Sequence, residues 1–356
     1  MEGLVNMVDK SFWRGKKVLV TGHTGFKGSW LSLWLHSLQA EVYGYALEMP
    51  KTPNMFAECH LEDILHNQYG DIRNQESVSA YMRKCEPEII FHLAAQPLVR
   101  ESYRYPLETY ATNVMGTVNI LEAARKCPSV KSIVIITTDK CYENKEWIWG
   151  YRESDPLGGY DPYASSKACA ELVAQSYRLS FFQENKIFLA TARAGNVIGG
   201  GDWAKDRLIP DCIRAIQNHR EIILRNPEAI RPWQFVLEPL KGYLMLAEKL
   251  YMEGTPWAEA WNFGPERSAQ RMVEEVVKLV CDFTGGKYKV EVKDNLHENR
   301  NLELDISKAS SILHWEPSLE LEQAVKMTVA WYNAWIEQKT DMREISLQQI
   351  NEFQGV

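Results

Sequence analysis

"VLVTGHTGFKGSWLSLWL", residues 18–35, passes from a β-branched apolar run through a glycine-rich turn into a helix-like stretch. Gly22, Gly25 and Gly28 stand three apart across that turn. Lacking a Cβ, such residues let backbone N–H groups approach a pyrophosphate at a helix N-terminus, where the helix dipole favours negative charge. A tight strand-to-helix turn with no ligand would also use glycine, so the rest of the chain has to separate the two readings.

Outward from this turn, short β-branched runs alternate with amphipathic stretches: "KKVLVTG", residues 26–39, "EVYGYAL", "SVSAYMRKC", "EIIFHLAA", a long stretch to 126, and "SIVIITT". That alternation predicts repeated βαβ units around a parallel sheet. A further strand is expected in "IFLATARAGNVIG" (187–199), helices over 207–219 and 240–252, and an amphipathic helix in "LEQAVKMTVAWYNAWIEQ". The expected fold is α/β, a Rossmann-type doubly wound parallel sheet with a smaller, mixed α/β C-terminal substrate-binding lobe. The expected division assigns 1–195 plus roughly 231–262 to the dinucleotide-binding domain, and roughly 196–230 plus 263–356 to the lobe.

The 356 residues carry 40 basic and 47 acidic side chains, a balance that argues against disorder and against a nucleic-acid surface. No apolar run is long enough to cross a bilayer, and the start "MEGLVNMVDKSF" lacks the order of a signal peptide, so a cytoplasmic protein with no membrane partner is expected. The seven cysteines form neither close pairs nor His-associated clusters, and neither disulfides nor a metal is expected.

"DPYASSKACAELVAQSYRL" puts Tyr163 and Lys167 four apart, on one face of a helix. A free phenol has a pKa of ~10, too high for a base at neutral pH, and an ammonium one turn away is expected to pull it down. Twenty-five residues earlier, "KSIVIITTDK" leaves an apolar strand with three polar side chains: Thr138, Asp139 and Lys140.

The glycine spacing, the Tyr-x-x-x-Lys pair and the preceding Thr together resemble the extended short-chain dehydrogenase/reductases. In that family the tyrosine takes a proton from a substrate hydroxyl as hydride leaves the adjoining carbon for a nicotinamide. The lysine holds the nicotinamide ribose, and the Thr138 position hydrogen-bonds the same hydroxyl. The resemblance implies cofactor contacts from Gly22, Thr24, Gly25, Phe26, Lys27 and Gly28. "GDIRN" would add Asp71 and Ile72 at the adenine, and "HLAAQ" would add Leu93, Ala94 and Ala95 along the cofactor. Thr112, Thr137, Tyr163 and Lys167 complete the implied set. The second strand ends "YALEMPKTP", with no arginine for a 2′-phosphate, Glu48 slightly late for the ribose and Lys51 the one nearby cation, which favours NAD over NADP.

Oxidation alone needs no further acid or base, but loss of water from a neighbouring carbon does. Nucleotide-sugar 4,6-dehydratases resemble the chain here, with Thr-Asp-Glu where this sequence has Thr-Asp-Lys: the Asp is their acid and the Glu their base. Lys140 can serve as base only if its pKa falls from ~10.4 toward neutrality; charged, it would stabilise an enolate instead. If the Asp-Lys pair were merely a solvated loop, a nucleotide-sugar epimerase or simple dehydrogenase would remain.

A nucleotide sugar also needs diphosphate ligands, for which guanidinium is suited by its two parallel donors. The resemblance implies Asn196 in "RAGNVIGGGDW", Arg207 and Leu208 in "KDRLIP", Arg231 in "RNPEAIRPWQF", and Arg300 in "HENRNLELDISKA". These runs together are similar to the branch acting on CDP-glucose, on the route to the dideoxy sugars of bacterial lipopolysaccharide. A homodimer or homotetramer is implied too, paired through two helices of which the Tyr163 helix is one.

Overall fold

The computed structural model describes residues 8–48, 53–266, 270–291 and 302–355. Arg300 and Lys51 lie outside them. Seven strands, β1 (Lys17–Thr21), β2 (Glu41–Ala46), β3 (His66–Tyr69), β4 (Ile89–His92), β5 (Ser132–Ile136), β6 (Phe188–Ala194) and β7 (Ala260–Phe263), form one sheet in the order β7-β6-β5-β4-β1-β2-β3. All its pairings are parallel.

The apolar runs that announced these strands bury both faces, as a parallel sheet covered by helices requires. Val18 and Val20, Ile89 and Phe91, and Val134 and Ile136 enter one core, while Leu19, Ile90, Ile133 and Ile135 enter the core on the opposite face. β3 escapes the sequence reading because "HNQY" is a polar edge strand with no fully buried residue. It is held by its register with β2 and by stacking of His66 on Tyr43, ring centroids 4.5 Å apart.

The principal helices are α1 (Phe26–Ser37), α2 (Gln75–Cys85), α3 (Gly116–Arg125), α4 (Pro162–Tyr177), α5 (Leu208–Gln217), α6 (Leu237–Glu253), α7 (Val273–Thr284), α8 (Leu321–Glu337) and α9 (Met342–Gln354). α1 is buried without interruption from Gly28 to Leu35. Its outer side is covered by the end of the chain, where Phe353 of α9 meets Trp34 edge-on at 5.8 Å between centroids. Among the described residues three two-stranded pairs lie outside the main sheet: 197–198 with 234–235, 230–232 with 270–272, and 222–224 with 288–290.

Strand order reverses between β1 and β4, which opens a crevice at their carboxyl ends, the ligand position in open α/β sheets. The turn after β1, the end of β4 and the end of β5 all reach it. α4 begins there as well: Asp161 caps it by accepting from Ala164 N at 2.9 Å, and Pro162 is its first residue, which sets Tyr163 in the first turn.

Candidate active site

The glycine turn is fitted to its surroundings by contact. Gly22 has φ +73°, and a Cβ on it would lie 2.7 Å from Ala94 N; a Cβ on Gly28 would lie 2.1 Å from Gly22 O. Thr21 Oγ1 accepts from Ala94 N at 3.2 Å and shares a 2.7 Å hydrogen bond with His92 Nδ1, so the ends of β1 and β4 are locked together. Gly25 is the N-cap of α1 and makes no side-chain cap, leaving the first N–H groups of the helix available to an anion. Gly28→Ala is expected to displace this turn, at a cost of ~1–3 kcal/mol. A lower melting temperature together with loss of dinucleotide binding in a fluorescence titration would be the signature.

The other implied cofactor residues line up around the same ends. Leu93, Ala94 and Ala95 are partly buried beyond β4. Thr24 donates to Leu47 O at 3.3 Å, next to the partly exposed Phe26 and Lys27. Ile72 is buried against Gly116. Asp71 is held by Arg73 through its backbone N–H and its guanidinium at 2.6–3.0 Å, which keeps the carboxyl below its ordinary range; Asn74, not Asp71, caps α2. Thr112 lies in a π-helical segment, Ala111–Met115, and its neighbour Asn113 donates to Ser166 Oγ at 2.8 Å, tying that segment to α4. Thr137 gives its hydroxyl to Glu171 at 2.5 Å.

Three of the five catalytic candidates form one cluster, Thr138 and Asp139 buried and Tyr163 partly so. Thr138 donates to Asp139 Oδ1 at 2.9 Å and lies close enough to the Tyr163 phenol to favour its ionised form. Asp139 is 4 % exposed, and its other oxygen is directed at Gly195, where a Cβ would be 2.9 Å from Oδ2. Burial raises the Asp139 carboxyl above its ordinary range, against the opposing charges of Lys140 and Lys27. Lys140, partly exposed, is thus close enough to be the largest charge that Asp139 feels.

The phenol departs from expectation. Burial, aided by the Asp139 charge, pushes Tyr163 up to about 12, and the cation that pulls it down is Arg207 rather than Lys167. Lys167 is directed to the end of β5, donating to Ile136 O at 3.2 Å, and burial lowers it to about 8. Once Asp139 is protonated, the charge that raises the phenol is gone, so the two groups are coupled.

Lys27 was expected only as part of the glycine turn. Its side chain instead shares the field of Arg207, Asp139 and Lys167, and burial followed by Arg207 lowers it to about 8. Arg207 precedes α5 and pairs with the buried Asp202 at 2.8 Å, its charge reaching Tyr163 and Lys27. Leu208 packs on the main core, and Asn196 lies partly buried beyond β6. Arg231 stands on strand 230–232, opposite Arg271 on the antiparallel strand. A cavity of about 700 Å³ lies elsewhere, behind Glu171 and Arg193, and none of the sequence-chosen residues lines it.

A family profile described as GDP-mannose 4,6 dehydratase matches residues 19–328. The chain belongs to this nucleotide-sugar dehydratase family. Within reach of the family, CDP-glucose 4,6-dehydratase of Salmonella typhimurium is 50% identical over 354 residues, 98% of each chain. The dTDP-D-glucose 4,6-dehydratase of Homo sapiens is 26% identical, over 89% of this chain and 90% of its own. Among solved structures, dTDP-glucose 4,6-dehydratase of Bacillus anthracis in complex with NAD superimposes with TM-score 0.74 at 24% identity, covering 91% of this chain and 98% of its own. UDP-glucose 4-epimerase of Thermotoga maritima, with UDP-glucose, gives 0.76 at 24%, covering 90% and 99%. At such identities dehydratase and epimerase alike share the fold of this chain, and the chemistry has to be argued from the site.

Proposed function

We propose that the chain is a CDP-D-glucose 4,6-dehydratase, converting CDP-D-glucose to CDP-4-dehydro-6-deoxy-D-glucose and water. The observation that carries this reading is the burial of Asp139 beside Thr138 and Tyr163, which puts a carboxyl able to hold a proton next to an oxidation site. An epimerase has no use for it. The half-identical Salmonella enzyme supports the choice of nucleotide.

The glycine turn fits NAD: Gly22 and Gly28 let the turn pack tightly on Ala94 and on itself, and the uncapped start of α1 suits a pyrophosphate. Bound there, NAD supplies the acceptor for hydride from C4 and the donor that returns it to C6. Tyr163, oriented by Thr138, takes the proton of the C4 hydroxyl, and Lys167 holds the ribose. With C4 a ketone, the C5 hydrogen is acidic; an amine removes it while Asp139 protonates the departing C6 oxygen. Asn196, Arg207, Leu208 and Arg231 line the nucleotide-sugar side, and Arg300 is kept in the set although it lies outside the described residues.

Lys140 is the first choice for the C5 amine. A second reading is favoured by Lys27, which burial and neighbouring cations bring to about 8, close enough to neutrality for a general base. Lys140→Met is expected to fold, bind NAD and oxidise C4, yet lose C5 hydrogen exchange in heavy water by ~10²-fold or more. If exchange persists in Lys140→Met and vanishes in Lys27→Met, the base is Lys27.

Among the described residues no helix is long and apolar enough to cross a membrane. The proposal is a cytoplasmic enzyme of dideoxy-sugar assembly for O-antigen. It pairs with a second copy through α3 and α4, near which Met115, Leu172 and Leu179 are exposed. Incubation with CDP-, dTDP-, GDP- and UDP-hexoses followed by mass spectrometry tests the whole. The CDP-glucose product should be lighter by one water, and a product of unchanged mass would point to an epimerase.

A further inference from the structure

Behind the crevice, Glu171 follows Lys167 by one turn of α4 and Tyr163 by two, and is 4 % exposed. Its carboxylate accepts from Thr137 Oγ1 at 2.5 Å, Thr191 Oγ1 at 2.7 Å and Arg193 Nη2 at 2.8 Å. Thr137 continues β5, and Thr191 and Arg193 belong to β6, so one side chain ties the catalytic helix to the ends of two strands. Arg193, 3 % exposed, donates its other terminal nitrogen to Tyr142 Oη at 2.7 Å and to Glu153 O at 3.2 Å.

A buried ion pair is weak ground for stability, since apolar replacements of the same volume are often no worse. One turn back along α4 from this carboxylate stands Lys167, whose ammonium feels its charge although the cation bonded to it is Arg193. The other groups around that ammonium are Tyr163 on its own helix, His92 of β4, Cys141 after β5, Lys27 of α1 and the Ile136 carbonyl. Burial keeps His92 neutral, at about 3, and Cys141 a thiol. Glu171 is therefore the fixed negative charge among them.

We infer that Glu171 is the positioning residue of the Tyr163–Lys167 pair: it pins α4 to the ends of β5 and β6 and presents the negative charge that the Lys167 ammonium faces. The inference deepens the dehydratase reading and rests on it for turnover, though not for cofactor binding. Lys167 loses its proton as pH rises through about 8, where Glu171 opposes the effect of burial. Without that charge the loss moves to lower pH.

Glu171→Gln removes the charge and keeps an acceptor for one of the two threonines, which meet different carboxylate oxygens. Because it also strands Arg193, the same measurements are made on Glu171→Gln/Arg193→Met, which removes both charges and keeps the helix packed. NAD is titrated by fluorescence at pH 6 and pH 8 without sugar, and kcat is followed across the same range. At pH 8 the folded variant is expected to bind NAD about fivefold more weakly, the loss of ammonium that a fall of one unit from about 8 produces there, and kcat should fall by the same order. At pH 6 both should return to near the parent values, and Glu171→Asp should keep the parent profile. A folded variant that loses melting temperature alone, with NAD affinity and kcat tracking the parent at both pH values, overturns the inference. Failure of the parent to turn over any nucleotide sugar would sink the dehydratase reading, while the NAD titration would still decide the role of Glu171.

Discussion

Tyr163→Phe is expected to lower turnover of the nucleotide sugar by ~10²–10⁴-fold, the range that a positioned acid–base group supplies. The substitution removes one oxygen from the first turn of α4 and leaves the ring, so the N-cap at Asp161 and the packing of the helix should persist. What is lost is the proton acceptor beside Thr138. The reading is direct: NADH absorbance on mixing enzyme, NAD and CDP-glucose should no longer rise, while NAD affinity measured without sugar changes little. Undiminished NADH formation would remove Tyr163 from the first step.

Asp139→Asn is expected to split the reaction at a different point. An amide cannot give up a proton to the C6 oxygen, so water loss should fall by ~10²–10⁴-fold. C4 oxidation should survive, because the same change removes the charge that raises the Tyr163 phenol. Stopped-flow absorbance should then show NADH accumulating and persisting, where the parent enzyme consumes it. Stability gives an independent check. A carboxyl whose folded pKa is raised is favoured protonated in the fold, so its contribution is present at low pH and is lost as pH rises through the folded value. For Asp139 the raised value follows from burial, and Asp139→Asn should melt no lower than the parent at pH 8. A variant that fails to fold at pH 8, or one that dehydrates normally, would contradict the assignment.

The strands of the parallel sheet were legible where both faces are buried. Runs such as "SIVII" carry their fate in their own composition, since no placement in water accommodates them. β3 was not legible, because "HNQY" becomes a strand through what β2 offers it rather than through any preference of its own. In the site, the glycine spacing and the one-turn separation of Tyr163 and Lys167 could be read in advance. Glu171, four residues further along the same face, is open to the same reading. Its signal was Tyr-x-x-x-Lys-x-x-x-Glu, a stripe on a helix that also has to face a strand end.

Lys27 and Arg207 show the complement. One follows the first β-strand and the other opens a helix 180 residues later, yet their charges meet around Tyr163 and Asp139. No local pattern encodes that meeting. Even the sign of the Tyr163 shift is hidden from spacing, because burial, aided by the Asp139 charge, outweighs the cations around the phenol while the Lys167 ammonium is engaged by the Ile136 carbonyl.

By itself the sequence determined whatever depends on neighbours within a few residues: the two-sided burial of the central strands, the cradle of Gly22, Gly25 and Gly28, and the face shared by Tyr163 and Lys167. Only the tertiary structure decided which charges those groups feel. A pKa is set by burial and by charges a few ångströms away in space, and that environment exists only after distant segments have packed together.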